Sequence, residues 1–166
     1  MITQAELKER VNYDPETGVF TWRKTYSSKF IGKQTGRILP EGYVEIQIAG
    51  SEYAAHRLAW LYVYGEFPRR GLDHINRIKH DNRIANLREA TPAENARNVG
   101  LSARNLSGFK GISYRPSMGK YVASISVLDR DLYLGSFTTP EEASAQYERF
   151  AAVIHGDFYY NKGAQQ

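Results

Sequence analysis

GLDHINRIKHDNRIANLREATPAENARN, residues 71–98, decides how the rest of the chain is organised. It opens on an adjacent Asp73-His74 pair, runs through Asn82, Asn86 and Asn95, and places Arg77, Lys79, Arg83 and Arg88 between them. A bare core strand or helix has no use for so many polar groups. As chemistry, the pieces fit a one-metal phosphodiesterase site. The Asp73 carboxylate and the Asn95 amide oxygen are hard ligands suited to one divalent cation, Mg²⁺ or Mn²⁺, and His74 is suited to taking a proton from water near neutral pH. A metal there stabilises charge on the scissile phosphate and the leaving oxygen.

The spacing fits a compact unit. Residues 87–90 read as a short strand. Thr91 is a helix N-cap, Pro92 the first helical residue and Glu94 the partner in a capping box, so Asn95 falls on the first turn of a helix. The product is strand, long loop, strand, helix, with Asp73 and His74 on the first strand. An isolated Asp-His pair reads as a solvated polar loop; four spaced residues with a helix start do not.

This arrangement, DH…DNR…NL…TPAEN, resembles the HNH (ββα-metal) nuclease motif in its phage homing-endonuclease type. The resemblance implies that His74 is the general base, that Asp73 and Asn95 hold the metal, and that Asn86 orients the His74 ring. Asn82 falls where that family holds the loop and takes a supporting role. His56 and Arg57, in a His-Arg-Leu-Ala-Trp run, also resemble this family. His56 reads first as a core histidine bonded to backbone or to the site loop, and second as a phosphate contact. Arg69 and Arg70, in the turn just before the site, are phosphate candidates.

Composition sets the outer bounds. At 166 residues, 42% hydrophobic and 13% aromatic, the chain can fold as one domain or two small ones. A net charge of +4 points to an anionic partner. Residues 99–128 carry Arg104, Lys110, Arg115 and Lys120 with no acid, whereas residues 129–148 carry Asp129, Asp131, Glu141, Glu142 and Glu148 against Arg130 alone. With no cysteine there are no disulfides or thiolate metal sites. No apolar run reaches transmembrane length and no hydrophobic signal core opens the chain, so the expected location is the cytoplasm, of a bacterial host or phage-infected cell.

Ahead of the site, Thr3 and Glu6 form a capping box for a helix over about 4–11, followed by a turn at 14–18 and a strand at 19–22. Residues 25–38 read as a loop or ragged hairpin whose Lys29, Lys33 and Arg37 either contact phosphate or are simply solvated. Val44, Ile46 and Ile48 alternate along a strand that turns back at 49–51. Residues 54–64 are apolar on almost every face and end at Gly65, the pattern of a buried helix with a glycine cap.

Behind the site, residues 99–106 read as a linker, with Arg104 and Asn105 able to lie along DNA. Three strands and a capped helix follow, a complete small unit of three antiparallel strands on one helix. This segment, over about 107–161, resembles the AP2 DNA-binding domain. The matching residues include Gly111-Ile112, Arg115-Pro116, the run from Gly119 to Ala123, the run from Leu134 to Phe137, Glu141-Glu142-Ala143, Tyr147, Gly156 and Asn161. The resemblance implies that Lys110, Arg115, Lys120 and Tyr121 on the exposed sheet face contact DNA, with Ser113, Ser124 and Ser126 standing where that family has charged residues. That pattern favours shape or phosphate binding over a base code. Tyr121 also reads as a cross-strand packing aromatic.

The fold class expected is α+β: an HNH nuclease domain over 1–98, a linker at 99–106 and an AP2-like domain over 107–166. The expected activity is metal-dependent hydrolysis of double-stranded DNA by a homing-type endonuclease, without membrane association and with no protein partner specified. The alternative is a non-catalytic DNA-binding regulator on a degenerate HNH scaffold.

Overall fold

Thr3 starts the first helix, α1 (Gln4–Arg10), by accepting from the Glu6 amide at 3.2 Å while the Glu6 carboxylate accepts from the Thr3 amide at 2.9 Å. Two amides that a helix start leaves unpaired are thereby satisfied. The structure, a computed structural model, describes residues 1–101, 105–128 and 130–159. Arg104, Asp129 and Asn161 lie outside the described residues.

The helix does not extend to residue 11. Strand β1 (Val11–Asp14) begins there and pairs antiparallel with β2 (Val19–Trp22). The strand prevails because Val11 and Tyr13 are buried while Asn12 and Asp14 are exposed, the alternation of a half-buried strand. Arg37–Ile38 (β3), Val44–Ile48 (β4) and Ser51–Ala54 (β5) form an antiparallel sheet in that order. Helix α2 (Ala55–Tyr64) follows and stops at Gly65, whose φ of 85° only glycine adopts without strain and whose amide donates to Leu61 O at 3.0 Å. Leu7, Val11, Phe20, Ile46, Ile48 and Leu58 close the core between these elements. Burying side chains of this size stabilises by roughly 1.5–3 kcal/mol each.

Strands β6 (Gly71–His74) and β7 (Leu87–Ala90) pair antiparallel, Asp73 opposite Arg88 and His74 opposite Leu87. Helix α3 (Pro92–Asn98) comes next. The expected strand, loop, strand, helix order is therefore present.

The chain divides into two compact units, Met1–Pro92 and Ala93–Gln166. The sequence places the boundary near residue 100, but α3 belongs with the second unit. Residues 105–109, where the expected linker of 99–106 ends, form a closed turn: Asn105 Oδ1 accepts from the Gly108 amide at 2.8 Å and Asn105 Nδ2 donates to Phe109 O at 2.8 Å. Then come β8 (Ile112–Arg115), β9 (Lys120–Val127) and β10 (Arg130–Phe137), antiparallel in the order β10-β9-β8. Helix α4 (Pro140–His155) opens on a Thr139–Glu142 capping box and packs on this sheet. Ile112, Ala123, Ile125, Ala143, Tyr147 and Ala151 form its core. A Cβ at Gly111 would lie 2.2 Å from the Tyr147 ring, so only glycine lets helix and sheet close there. Among the described residues no helix is long and apolar enough to cross a membrane.

Candidate active site

Asp73 and His74, at the end of β6, are 7% and 4% exposed. Residues directly opposite in an antiparallel pair share a face, and Arg88 accordingly reaches across to Asp73. Its Nε and Nη2 donate to Asp73 Oδ2 at 2.8 and 2.6 Å. A charge-assisted fork of this kind fixes the carboxylate's orientation as well as compensating its charge. Arg88 carries no special mark in the sequence; the register alone reveals it.

The loop between β6 and β7 is laced to itself. Asn86 Oδ1 accepts from the Asn76 amide at 2.9 Å and Asn86 Nδ2 donates to Asp81 O at 2.8 Å. Asp81 accepts from Asn76 Nδ2 at 2.6 Å and from Arg83 Nε at 2.8 Å, and the Arg83 fork brings its pKa down to about 2. Asn82, 3% exposed, donates to His80 O at 3.2 Å, while its Oδ1 is buried without a hydrogen-bond partner among the described residues. Both asparagines are thus buried in the loop that follows His74, Asn86 with both ends of its amide bonded to loop backbone.

The first hairpin supports this loop, a part no motif announces. Tyr13 donates its hydroxyl proton to Asn82 O at 2.7 Å, and burial raises its pKa. A Cβ on Gly18 would lie 2.5 Å from Arg83 N and 2.6 Å from Asn82 C. The turn between β1 and β2 therefore sits directly against the backbone that presents Asn82.

Three rings meet beside the base. His56, on the first turn of α2, stands edge-on to His74 with centroids 5.2 Å apart, and Tyr43 lies 5.4 Å from His56 and 5.9 Å from His74. His56 Nδ1 is buried without a hydrogen-bond partner among the described residues, so a core histidine bonded through that nitrogen is not what forms. Burial, then the neighbouring His74 and Arg57, push the His56 pKa down to about 4. The His74 pKa is lowered by burial, against which the neighbouring Asn82 amide and the charges of Asp73 and Asp81 pull upward. Both imidazoles are neutral at neutral pH. A neutral imidazole can accept a proton.

Asn95, half-buried, lies on α3 in the second unit. Among the described residues no three His, Asp or Glu side chains cluster as a metal cage. By type, a carboxylate and a side-chain amide oxygen are hard donors, suited to a cation that keeps most of its sphere for water and phosphate oxygens. The donor chemistry thus fits Mg²⁺ or Mn²⁺.

The basic residues separate. Arg69 and Arg70 are exposed, their backbone amides donating to Glu89 Oε1 at 2.6 and 3.2 Å. Arg115 and Lys120 are exposed and paired across β8 and β9. Tyr121 cannot share their face, because successive strand residues point to opposite sides. It packs against the core with Ala123 and Ile125 and lies 5.0 Å from the Tyr114 ring, so the packing role holds. Lys110 is bonded within its own unit: Nζ donates to Arg97 O at 2.5 Å and to Val99 O at 2.9 Å. Arg37, likewise, is held by Glu45 at 2.6 Å and Glu52 at 3.2 Å.

Residues 53–97 match the family described as HNH endonuclease, a span that includes His56, Asp73, His74, Asn82, Asn86 and Asn95. That segment is similar to HNH endonucleases, a match that supports a nuclease. A solved structure entitled "DNA binding and cleavage by the HNH homing endonuclease I-HmuI" is similar over 93% of this chain and 88% of that one, at 19% identity and a TM-score of 0.42, a level that carries no argument here. No curated protein matches the chain.

Proposed function

We propose that the protein is a homing-type DNA endonuclease that hydrolyses phosphodiester bonds, with His74 as general base and one divalent cation held by Asp73 and Asn95. The observation that carries this is a buried His74 adjacent to an Asp73 oriented by Arg88, inside the segment that matches the HNH endonuclease family. His74 accepts the proton of the attacking water, whose oxygen bonds to phosphorus. The bond from phosphorus to the 3′ oxygen breaks, leaving 3′-hydroxyl and 5′-phosphate ends. A bound cation supplies Lewis-acid stabilisation of the charge on the phosphate and leaving oxygen.

The resemblance gives Asn86 the orienting of the His74 ring and Asn82, buried in the same loop, a supporting role. Arg88 turns the Asp73 carboxylate. Arg115 and Lys120 neutralise backbone phosphates of double-stranded DNA from the exposed sheet face, and the AP2-like resemblance assigns the second unit this holding role. Arg69 and Arg70 contact phosphate near the site, and Arg104 joins them by its place in the sequence. One such constellation per chain nicks one strand per encounter.

Cleavage of supercoiled plasmid with Mg²⁺ or Mn²⁺, beside His74→Ala and an EDTA control, tests this. Conversion to open circle by the wild type alone, abolished by EDTA, is the expected result. DNA binding without cleavage on any substrate would favour a non-catalytic DNA-binding regulator, the reading to which the Arg88 fork on Asp73 lends most support.

A further inference from the structure

The last carbonyls of a helix have no partner within it, and a cation placed there meets both those orphan acceptors and the negative end of the helix dipole. Lys110 does this for α3. Its Nζ donates to Arg97 O in the last turn at 2.5 Å and to Val99 O just past the end at 2.9 Å. Its backbone is fixed by neighbours on both sides. Phe109 packs against the core of the second unit, and Gly111 lies under the Tyr147 ring, its carbonyl accepting from the Ser124 amide at 2.9 Å.

Two further observations converge on the same place. Asn98, the last residue of α3, is 4% exposed, so the helix end is sunk into its unit. His155, at the end of α4 and 8% exposed, has its pKa lowered by burial and then by the charges of Arg97 and Lys110. The ends of α3 and α4 and the entry to β8 therefore share one locale, with the Lys110 ammonium at its centre.

We infer that Lys110 is a positioning residue: its ammonium clamps the C-terminal turn of α3 to the start of β8, so that the helix bearing Asn95 is presented by the second unit. This rests on Asn95 being a metal ligand, as proposed above. The sheet that holds DNA and the amide that holds metal then belong to one body. Lys110 acts through Asn95 and makes no contact with DNA, the reverse of what a lysine in a basic stretch suggests.

The test uses the full chain as wild type, Lys110→Met, which keeps the aliphatic stem, and Lys110→Arg, which keeps a donor. DNA affinity is measured against salt in EDTA, Mn²⁺ binding by electron paramagnetic resonance, and hydrogen exchange over residues 93–99 by mass spectrometry. For Lys110→Met the clamp requires unchanged DNA affinity and salt slope, faster exchange over 93–99, and Mn²⁺ binding weakened about 10- to 100-fold, as for residues that orient metal ligands. Lys110→Arg restores part of that loss. A salt slope reduced by about 1 with unchanged exchange would make Lys110 a phosphate contact and overturn the proposal. Faster exchange with unchanged Mn²⁺ affinity would equally overturn it, since the clamp would then be structural only. A wild type that binds no Mn²⁺ fails the metal assignment of Asn95, and the positioning role falls with it, whereas a failure of the clamp alone shows as unchanged exchange in Lys110→Met beside a wild type that does bind Mn²⁺.

Discussion

Around His74 the polar side chains are buried, Asp73 held by Arg88 and Asn86 by the loop backbone, whereas on the outer face of the β8–β10 sheet they stand in solvent. Asp73, His74, Asn82 and Asn86 are all under 9% exposed, while Ser113, Arg115, Lys120 and Ser126 are exposed. The difference separates two kinds of work. A group that must take a proton or turn a carboxylate has to be fixed before substrate arrives, and burial with satisfied hydrogen bonds fixes it. A group that only neutralises phosphate can remain mobile and hydrated until it binds.

The sharpest way to break this comparison is at the base. His74→Ala should lower cleavage by about 10²- to 10⁴-fold while leaving DNA affinity near wild type, read by plasmid nicking beside a binding titration. Loss of both would instead report misfolding.

Removing the partner of a buried charge comes next. Arg88→Met leaves Asp73 buried without its fork and should destabilise the first unit by about 3 kcal/mol. Trp22 and Trp60, the two tryptophans of the chain, both lie in that unit, so their fluorescence during urea unfolding reports on it directly.

The buried imidazoles give a pH test with a fixed sign. His56 titrates at about 4 in the folded protein against 6.5 in the unfolded chain, so the unfolded state binds the proton first as pH falls. Stability from this group is full above about pH 6.5 and declines toward pH 4, by up to about 3 kcal/mol. His74 shifts in the same direction and adds to the slope. Urea unfolding at pH 7, 5 and 4 should show the decline, and His56→Asn should flatten it; an equal slope in that variant would mean the burial of His56 is not its source. Cleavage should keep its acidic limb below the ordinary imidazole value, because His74 stays neutral there.

The smallest effects belong to the exposed face. Arg115→Ala and Lys120→Ala should each reduce the salt slope of DNA binding by about 1 and leave folding unchanged. Tyr121→Phe, on the core side of the sheet, should leave that slope alone, which separates the two faces of one strand.

Much of the architecture was legible. Thr3 with Glu6 and Thr139 with Glu142 announced helix starts through capping chemistry that depends only on residues three apart. The alternation of Val44, Ile46 and Ile48 announced a strand, and the spaced Asp73, His74, Asn86 and Asn95 announced the site. Local rules failed where a partner lay far along the chain. Arg88 against Asp73, Tyr13 against Asn82 and Gly18 against the 82–83 backbone all depend on elements that meet only after folding. Lys110, which the AP2-like resemblance offers to DNA, donates to carbonyls at the end of α3, a placement that residue type does not show. Placing Tyr121 with Lys120 ignored the period of a strand, a rule the sequence itself supplies.

The sequence by itself determined which chemistry this protein holds: a carboxylate beside an imidazole, amides at set intervals, and a basic stretch ahead of an acidic one. Only the tertiary structure decided which arginine turns to Asp73, which carbonyls the Lys110 ammonium meets and to which unit most of α3 belongs. Residue type and spacing carry chemical identity along the chain. Burial, charge compensation and hydrogen-bond choice arise from neighbours that folding alone brings together.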